Sequence, residues 1–546
     1  MFGVRAICCS LSVSLLLLLQ LFGSSNGLAQ KEYFTSIAGL EKLLSTEVFL
    51  MSHLQSYVES MSSQLEMLKG EIEEIEREHE LAANNLEEYL TSPVNAFLLI
   101  KRLDTDWALF EDAIDNGLAR KSFLKAVKYT RENLSFPTEE DLTGSAVALV
   151  RLQETYQLDV SELSAGILNG VKYGSPMSWQ DCFQLGQKLF MLKDFNHTIP
   201  WLKESFQKLQ VQEYFNSSET VGFLEMVASY HAQMGDFQTA LDLNTKLLEL
   251  EPDREYSLDF RKYLKIMIEQ GHGLVEPELE DDIMRPYKLT EEFKTYEKVC
   301  RGEVKQSPTE ERPLRCRNFH RNVPYRLLMP FKMEELNLDP YVVVFHDVIR
   351  DAEIEPIKEI SKPGMTRSQV RANDGDGTTA TLYRTSQNTW LKYHVLPETE
   401  TLSRRLGDIT GLDMDANEEL QVANYGIGGH YEPHFDFFER DDAFQYEDGN
   451  RIATAIFYLS DVEQGGATGF PFLKRAVQPK KGSLMFWYNL HKDEEKDYRT
   501  KHAACPVLKG SKWVANVWIR VRKQMFTRPC GLEPDHEVSD GYGIIR

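Results

Sequence analysis

Beyond residue 30 the chain has no run of about twenty consecutive apolar residues, the length a helix needs to cross a bilayer. That absence excludes a membrane-spanning mature chain and predicts a soluble one. Positive charge is also short. Lys and Arg total 61 against 84 Asp and Glu, for a formal net charge of −23. Such a balance favours solubility, argues against nucleic acid as a partner, and at low salt can steer a basic polypeptide toward the surface. Cysteine is sparse, at seven in 546 residues. A C-terminal retention signal of the K-D-E-L type is missing too, since the sequence ends Gly543-Ile-Ile-Arg546.

Residues 1–28 carry one early Arg5, a largely apolar stretch over 11–21 and a small, polar end, Gly23-Ser-Ser-Asn-Gly27. This is the pattern of a cleaved secretory signal. It takes Cys8 and Cys9 away and leaves Cys182, Cys300, Cys316, Cys505 and Cys530. In an oxidising lumen the simplest bridges are the local pairs Cys300–Cys316 and Cys505–Cys530, with Cys182 a free thiol, although connectivity does not follow from sequence. Cys505 also lies near His502, but a thiolate ligand suits zinc or Cu(I) better than the ligand set described below. Sequons at Asn133, Asn196 and Asn216 agree with a luminal surface.

A chain of 546 residues is too long for one core, and roughly three or four domains are expected. The first half reads as helical. Met51, Leu54, Val58, Met61, Leu65, Leu68, Ile72 and Ile75 recur by threes and fours, an a/d seam. It reads either as a dimerisation seam or as one helix of an antiparallel bundle within the chain. The acidic run 71–80 falls mainly on the wet face. Helical pattern continues to about residue 170 and breaks at Tyr173-Gly-Ser-Pro176. An internal repeat follows: KDFNHTI (193–199) matches GDFQTAL (235–241) at an offset of 42 residues. The repeat resembles tetratricopeptide helix pairs, with an enlarged loop near 214–220 making up the difference from the usual period of about 34. Two such units form a concave surface suited to an extended peptide. Trp201, Tyr230, His231 and Phe237 read as groove-lining or as core. Residues 257–335 read as a linker, acidic at 276–282 and polar at 307–313.

From Pro340 to about residue 525 short β-rich runs alternate with Gly and Pro turns, at 340–345, 420–425, 452–459, 483–488 and 513–521. They predict an all-β sandwich or jelly roll. Within it stand YEPHFDFF (431–438), KHAACP (501–506) and GSKWVANVW (510–518). His434 and Asp436, two apart on an extended segment, share a face. With His502 they form a His-x-Asp plus distal His set, which caps one face of a ferrous ion and leaves the other open to an organic co-substrate and dioxygen. Lys512, ten residues past His502, supplies the fixed cation that a dicarboxylate co-substrate requires.

These strings, together with YRTSQNTWL (383–391), QVANYG, NRIATAIFYLSD, GGATGFP, FWYNL and KWVANVWI, resemble the catalytic region of collagen prolyl 4-hydroxylase α subunits. The order of parts resembles that family along nearly the whole chain. The resemblance implies a multidomain protein with an α-helical N-terminal half and a C-terminal double-stranded β-helix (jelly-roll) oxygenase domain. Its parts are a signal (1–28), a helical dimerisation region (29–172), a tetratricopeptide-type peptide-substrate-binding domain (173–256), a linker (257–335) holding Cys300 and Cys316, a catalytic domain (336–525) and a tail (526–546). It implies Fe(II) on His434, Asp436 and His502. It implies 2-oxoglutarate held by Lys512 with Tyr425 and Thr468 as helpers, dioxygen as the second co-substrate, and ascorbate as a reductant. Arg451 and Trp518 lie where related enzymes contact the peptide, though Trp518 also reads as core and Arg451 as part of a structural ion pair. Cys505–Cys530 would close the catalytic domain. Gly469 stands where the family more often carries a larger apolar residue. The implied activity is procollagen-proline 4-dioxygenase in the endoplasmic reticulum lumen, in an α2β2 tetramer with protein disulfide isomerase. Two alternatives remain: an oxygenase acting on another secreted Pro-rich protein, and a collagen-binding adaptor with a dead oxygenase domain.

Overall fold

The computed structural model describes residues 33–532, apart from 60–64, 109, 111–117, 212–216, 273–284, 322, 372–377, 380–382, 416, 427 and 440–447. The signal segment, the sequon Asn216 and most of the tail lie outside the described residues. Asn133 and Asn196 are exposed. Among the described residues no helix is long and apolar enough to cross a membrane.

The N-terminal half is helical, as its spacing predicts. Helices α1 (Ile37–Glu59) and α2 (Leu65–Asn84) carry the a/d seam. They pair with each other, with Gln55 donating to Glu76 at 2.7 Å and Glu47 beside His79 at 3.1 Å. Leu54, Leu68, Ile72 and Ile75 are buried in the chain's own core. These four seam residues thus pack within the chain, as in the bundle alternative. Met61 and the residues joining the helices lie outside the description. Helices α3 (Pro93–Lys101), α4 (Leu118–Asn133) and α5 (Glu139–Tyr156) complete this region. A reciprocal Thr138–Asp141 cap starts α5.

The repeat forms the helix pairs α6 (Trp179–Met191) with α7 (Phe195–Val211), and α8 (Ser217–Gln233) with α9 (Phe237–Leu250), followed by α10 (Glu255–Glu269). Lys193 and Gly235, equivalent by the 42-residue offset, both take positive φ at the turn inside each pair (59° and 83°). Glycine meets that demand without strain. Helix α10 continues to Glu269, past the expected boundary at 256. Lys101 at the end of α3 pairs with Asp181 of α6 at 2.7 Å and with Asp106 at 3.0 Å. One apolar cluster takes in α1–α5, Cys182, Leu185, Leu189 and Trp201 of the peptide domain, and Leu508 of the β half.

The expected linker carries a docked helix. Within it α11 (Glu291–Cys300), started by the Thr290 hydroxyl accepting from Phe293 N–H, docks Phe293, Tyr296 and Cys300 against Ala467, Ala503 and Cys505. Cys300 bonds Cys505, with Cα atoms 5.5 Å apart. The local pairs Cys300–Cys316 and Cys505–Cys530 are thus corrected: Cys316 and Cys530 are exposed free thiols, and Cys182 is a buried one. Helix docking, rather than sequence proximity, brings the two sulfurs together. Gly469 belongs to the same contact. A Cβ there would meet Val299 Cγ1 at 2.9 Å, so the missing side chain is what lets α11 lie this close.

The β half also starts earlier than 336. Strands β1 (Cys316–Phe319), β2 (Phe331–Leu338) and β3 (Tyr341–His346) open it. After α12 (Asp351–Ser361) come β4 (Thr366–Arg367), β5 (Arg384–Thr385), β6 (Gln387–Leu391), α13 (Pro397–Thr410), β7 (Leu420–Tyr425), β8 (His430–His434), β9 (Arg451–Tyr458), β10 (Thr468–Phe470), β11 (Arg475–Val477), β12 (Leu484–Tyr488), β13 (His502–Ala504) and β14 (Lys512–Arg520). A nine-stranded sheet runs β1-β2-β3-β12-β9-β14-β7-β6-β4, and a five-stranded sheet β11-β10-β13-β8-β5. All their pairings are antiparallel. The central strands are rich in β-branched and aromatic residues and are buried on both faces, because helices cover one side of the large sheet and the small sheet the other. This is the predicted jelly roll, and the site lies between its two sheets.

Candidate active site

The two imidazoles come together through strand register. On β8 and β13, His434 lies opposite His502, and their ring centroids are 4.4 Å apart. A register shift between Tyr431 and His434 puts both on the inner side, stacked at 3.5 Å. Asp436 is not on the strand: β8 ends at His434 and Asp436 lies in the bend after it. Simple alternation is thus not what makes His434 and Asp436 neighbours; the chain turns Asp436 inward. Asp436 Oδ1 is 3.7 Å from His434 Nε2, and its Oδ2 is 3.4 Å from His502 Nε2. One ligand atom from each of the three side chains falls within 4.8 Å of the others.

The surroundings prepare these atoms. His434 Nδ1 donates to the Glu432 carbonyl at 2.8 Å, and His502 Nδ1 to the Thr500 carbonyl at 3.1 Å. With Nδ1 carrying the proton, Nε2 of each ring is left as a lone-pair donor. Burial, reinforced by His502, pushes the His434 imidazole down to about 3, so it is neutral at physiological pH. Burial works against ionising Asp436, yet His502, His434, Arg451 and the Thr454 hydroxyl hold its carboxyl at about 2. Thr454 Oγ1 donates to Asp436 Oδ2 at 2.7 Å. It accepts in turn from Asn489 Nδ2 at 2.9 Å, whose Oδ1 accepts from Trp487 Nε1 at 2.9 Å. Two imidazoles presenting Nε2 and one carboxylate, oriented from behind, fit a ferrous ion of the facial-triad type.

Lys512 opens β14 directly across from Tyr425, the last residue of β7. Its ammonium sits 5.2 Å from the Tyr425 ring centre. Among the described residues no carboxylate pairs with it, and burial alone lowers it to about 7. Thr468 Oγ1 shares a 2.7 Å hydrogen bond with the Tyr458 hydroxyl. The triad, Lys512, Tyr425, Thr468 and Trp518 line one cavity together with Arg384, Tyr431, Thr454, Ile456, Val514 and Asn516. Arg451 does not line it. Its guanidinium grips Glu418 through two bonds of 2.6 and 2.7 Å and lies 4.0 Å over the Trp518 ring. Arg451 is thus part of an ion pair that supports Trp518, which forms the cavity wall. Tyr230 is far along the chain in the peptide domain, half-buried against Phe190 at 4.6 Å, with Gln187 donating to its hydroxyl at 2.9 Å. Trp201 and Phe237 are core. Sequence reading missed Thr454, Asn489, Tyr458 and Arg384. Thr454 and Tyr458 sit at even spacing on the strand already read at 452–459, and Arg384 and Asn489 lie within the strings YRTSQNTWL and FWYNL, which was the available signal.

Residues 36–170 match the family described as the prolyl 4-hydroxylase alpha-subunit N-terminal region. Residues 179–270 match the prolyl 4-hydroxylase peptide-substrate-binding domain, and 420–520 the 2OG-Fe(II) oxygenase superfamily. Prolyl 4-hydroxylase subunit alpha-2 of Caenorhabditis elegans is 40% identical over 517 residues, covering 93% of this chain and 95% of the relative. Subunit alpha-1 of Rattus norvegicus is 39% identical over 519 residues, covering 92% and 96%. A viral collagen prolyl hydroxylase from Paramecium Bursaria Chlorella virus-1, solved as its 2OG complex, shows 28% identity over 33% of this chain and 96% of its own, with a TM-score of 0.28. That score adds nothing to the fold argument. With all three regions matched in order and relatives aligned over nearly their full length, the chain belongs to the prolyl 4-hydroxylase alpha subunits.

Proposed function

We propose that this alpha subunit hydroxylates C4 of proline in collagen-like X-Pro-Gly segments, with 2-oxoglutarate and dioxygen as co-substrates and succinate and CO2 as the other products. The observation that carries this reading is the convergence of His434, Asp436 and His502 beside a buried, unpaired lysine in one cavity. Iron bound there supplies the oxidising chemistry that no side chain can. The protein's part is positioning. His434 and His502 present Nε2 because backbone carbonyls hold their other nitrogen. Asp436 stays ionised because the Arg451 guanidinium and the Thr454 hydroxyl favour its charge. Lys512 offers its ammonium to the far carboxylate of 2-oxoglutarate, and a carboxylate taken from water needs such a partner. Tyr425 and the Tyr458–Thr468 pair border the same end, and Ile456 and Val514 keep it dry. Trp518 meets the half-exposed Trp390 at 5.8 Å, which supports a substrate entry on that side.

The helix pairs of 179–270 are the docking surface for a Pro-rich strand in this reading. Ascorbate serves as the reductant for turnovers uncoupled from peptide. The secretory-type leader and sequons support residence in the endoplasmic reticulum lumen, with protein disulfide isomerase as partner in an α2β2 assembly. Self-association through the N-terminal helical region belongs to the same assembly in this reading.

The test is hydroxylation of a (Pro-Pro-Gly)-type peptide by the chain co-expressed with protein disulfide isomerase, supplied with Fe(II), 2-oxoglutarate and ascorbate, beside a His502→Ala control. Mass spectrometry locates the oxygen. 4-Hydroxyproline that depends on His502 supports the reading. Consumption of 2-oxoglutarate without peptide oxidation keeps the oxygenase and removes the substrate. No turnover from a folded, iron-loaded assembly leaves a binding subunit.

A further inference from the structure

The strand that ends in Tyr425 and the strand that ends in His434 are joined through Gly426, Gly428 and Gly429, and this junction is held from outside the oxygenase domain. Gly426 N–H donates to the Thr35 carbonyl at 3.1 Å. Arg151, on α5, donates from Nη1 to the Gly428 carbonyl at 3.1 Å. Ala38 N–H donates to Asn424 Oδ1 at 3.3 Å, and Ser36 Oγ to Gln387 Oε1 at 2.5 Å. A Cβ on Gly426 would meet Phe34 O at 2.4 Å and Ser36 N at 2.6 Å. A Cβ on Gly428, whose φ is +51°, would meet Ala148 O at 2.8 Å. The contact is as close as backbone on backbone allows, and only glycine permits it.

The holding elements are themselves fixed. Phe34 packs onto α5 where Gly144 leaves room, since a Cβ there would fall 2.3 Å from its ring. Tyr33 N–H donates to Asp141 Oδ1 at 2.6 Å. Tyr156, at the end of α5, donates its hydroxyl to the Pro506 carbonyl, between His502 and Lys512. The residues that present Tyr425, His434, His502 and Lys512 are therefore braced on their outer side by the N-terminal region.

We propose that the N-terminal helical region positions the iron and co-substrate site, with Thr35, Ser36 and Arg151 as positioning residues that fix the glycine junction between Tyr425 and His434. None of them touches the cavity. Their effect reaches the chemistry through the placement of His434 and Tyr425. The proposal rests on the iron-site reading, and its test separates the two.

The test uses the full chain in its assembly. Arg151→Met removes the donor and keeps the length; Arg151→Lys keeps a donor; Ser36→Ala loosens the neighbouring contact. Two quantities are read: anaerobic Fe(II) affinity with 2-oxoglutarate present, and amide hydrogen exchange over 424–434. Arg151→Met is expected to weaken Fe(II) binding about tenfold, the lower end of the effect of losing an outer support. Exchange should quicken across the junction alone, with Arg151→Lys recovering most of both. Unchanged affinity and exchange in Arg151→Met at an unchanged melting temperature overturn the proposal. So does a general fall in melting temperature with exchange quickened throughout. If Arg151→Met does not fold, Ser36→Ala decides on the same two readouts. If the parent binds no Fe(II), the iron reading fails and the exchange measurement alone decides the brace.

Discussion

Lys512→Met should make the ligand-free protein more stable while destroying its hold on 2-oxoglutarate. The two effects have opposite sign and one cause. Burial lowers the lysine from 10.5 to about 7, with no anion accompanying it among the described residues. The unfolded chain keeps the proton up to about pH 10.5 and the folded chain gives it up near 7. The resulting penalty is complete below pH 7 and fades as pH rises toward 10.5. At about 1.4 kcal/mol per unit, it amounts to about 4 kcal/mol at pH 7. Methionine carries no such penalty and fits the same slot. Ligand-free thermal unfolding at pH 6.5 should therefore show the oxygenase transition of the variant above that of the parent, with the difference shrinking by pH 10. Adding 2-oxoglutarate should raise the parent's transition and leave the variant's where it was. Leaving the co-substrate's far carboxylate buried and unpaired costs about 3–5 kcal/mol, so its affinity should fall at least a hundredfold. A variant that melts below the parent at pH 6.5, or that binds 2-oxoglutarate within tenfold of it, refutes the role given to this lysine.

Other consequences are simpler to state. For the parent, 2-oxoglutarate affinity should be flat below about pH 7 and weaken about tenfold per unit above it, because binding must first restore a proton to Lys512; titrations at pH 6.5, 7.5 and 8.5 check this, and a flat profile contradicts it. Thr454→Val removes the donor to Asp436 and strands Asn489, so Fe(II) affinity should fall about tenfold or more with little change in peptide KM. Asp436→Ala should abolish hydroxylation, and product detected by mass spectrometry above the background of a His502→Ala control would remove Asp436 from the ligand set. Arg451→Met leaves Glu418 its bond from Arg520 and takes away the support beneath Trp518; peptide KM should rise several-fold while 2-oxoglutarate KM stays within twofold.

What the sequence disclosed depended on whether the signal was local. Strand runs at 420–425, 452–459 and 513–521 were legible because alternating β-branched and aromatic residues declare themselves within a few positions. The ligand set was legible because His434 and Asp436 are two apart, even though the bend at Asp436, and not strand alternation, completes the geometry. The helix pairs were legible from one repeated heptapeptide. Features set by distant packing were not. Nothing near Cys300 announces Cys505, 205 residues on, because the docking of α11 brings them together. The a/d seam was equally consistent with a partner chain and with a second helix of the same chain, since both bury the same face. Thr454 and Asn489 are ordinary strand and loop residues until the two sheets close on each other. Gly469 looked like a departure and is the space that Val299 occupies.

The ion pairs from Lys101 to Asp181 and Asp106, and the apolar cluster running from Cys182 and Trp201 through α5 to Leu508, leave the peptide domain little freedom to swing. A substrate strand anchored there would meet the oxygenase at a set distance along its length. A polyproline II strand advances about 3.1 Å per residue, so a fixed span translates into a fixed number of residues between the anchored segment and the reacting proline. Such a geometry makes the enzyme a ruler. Peptides too short to bridge the span should then be poorer substrates than longer ones, with KM rising as length falls below it.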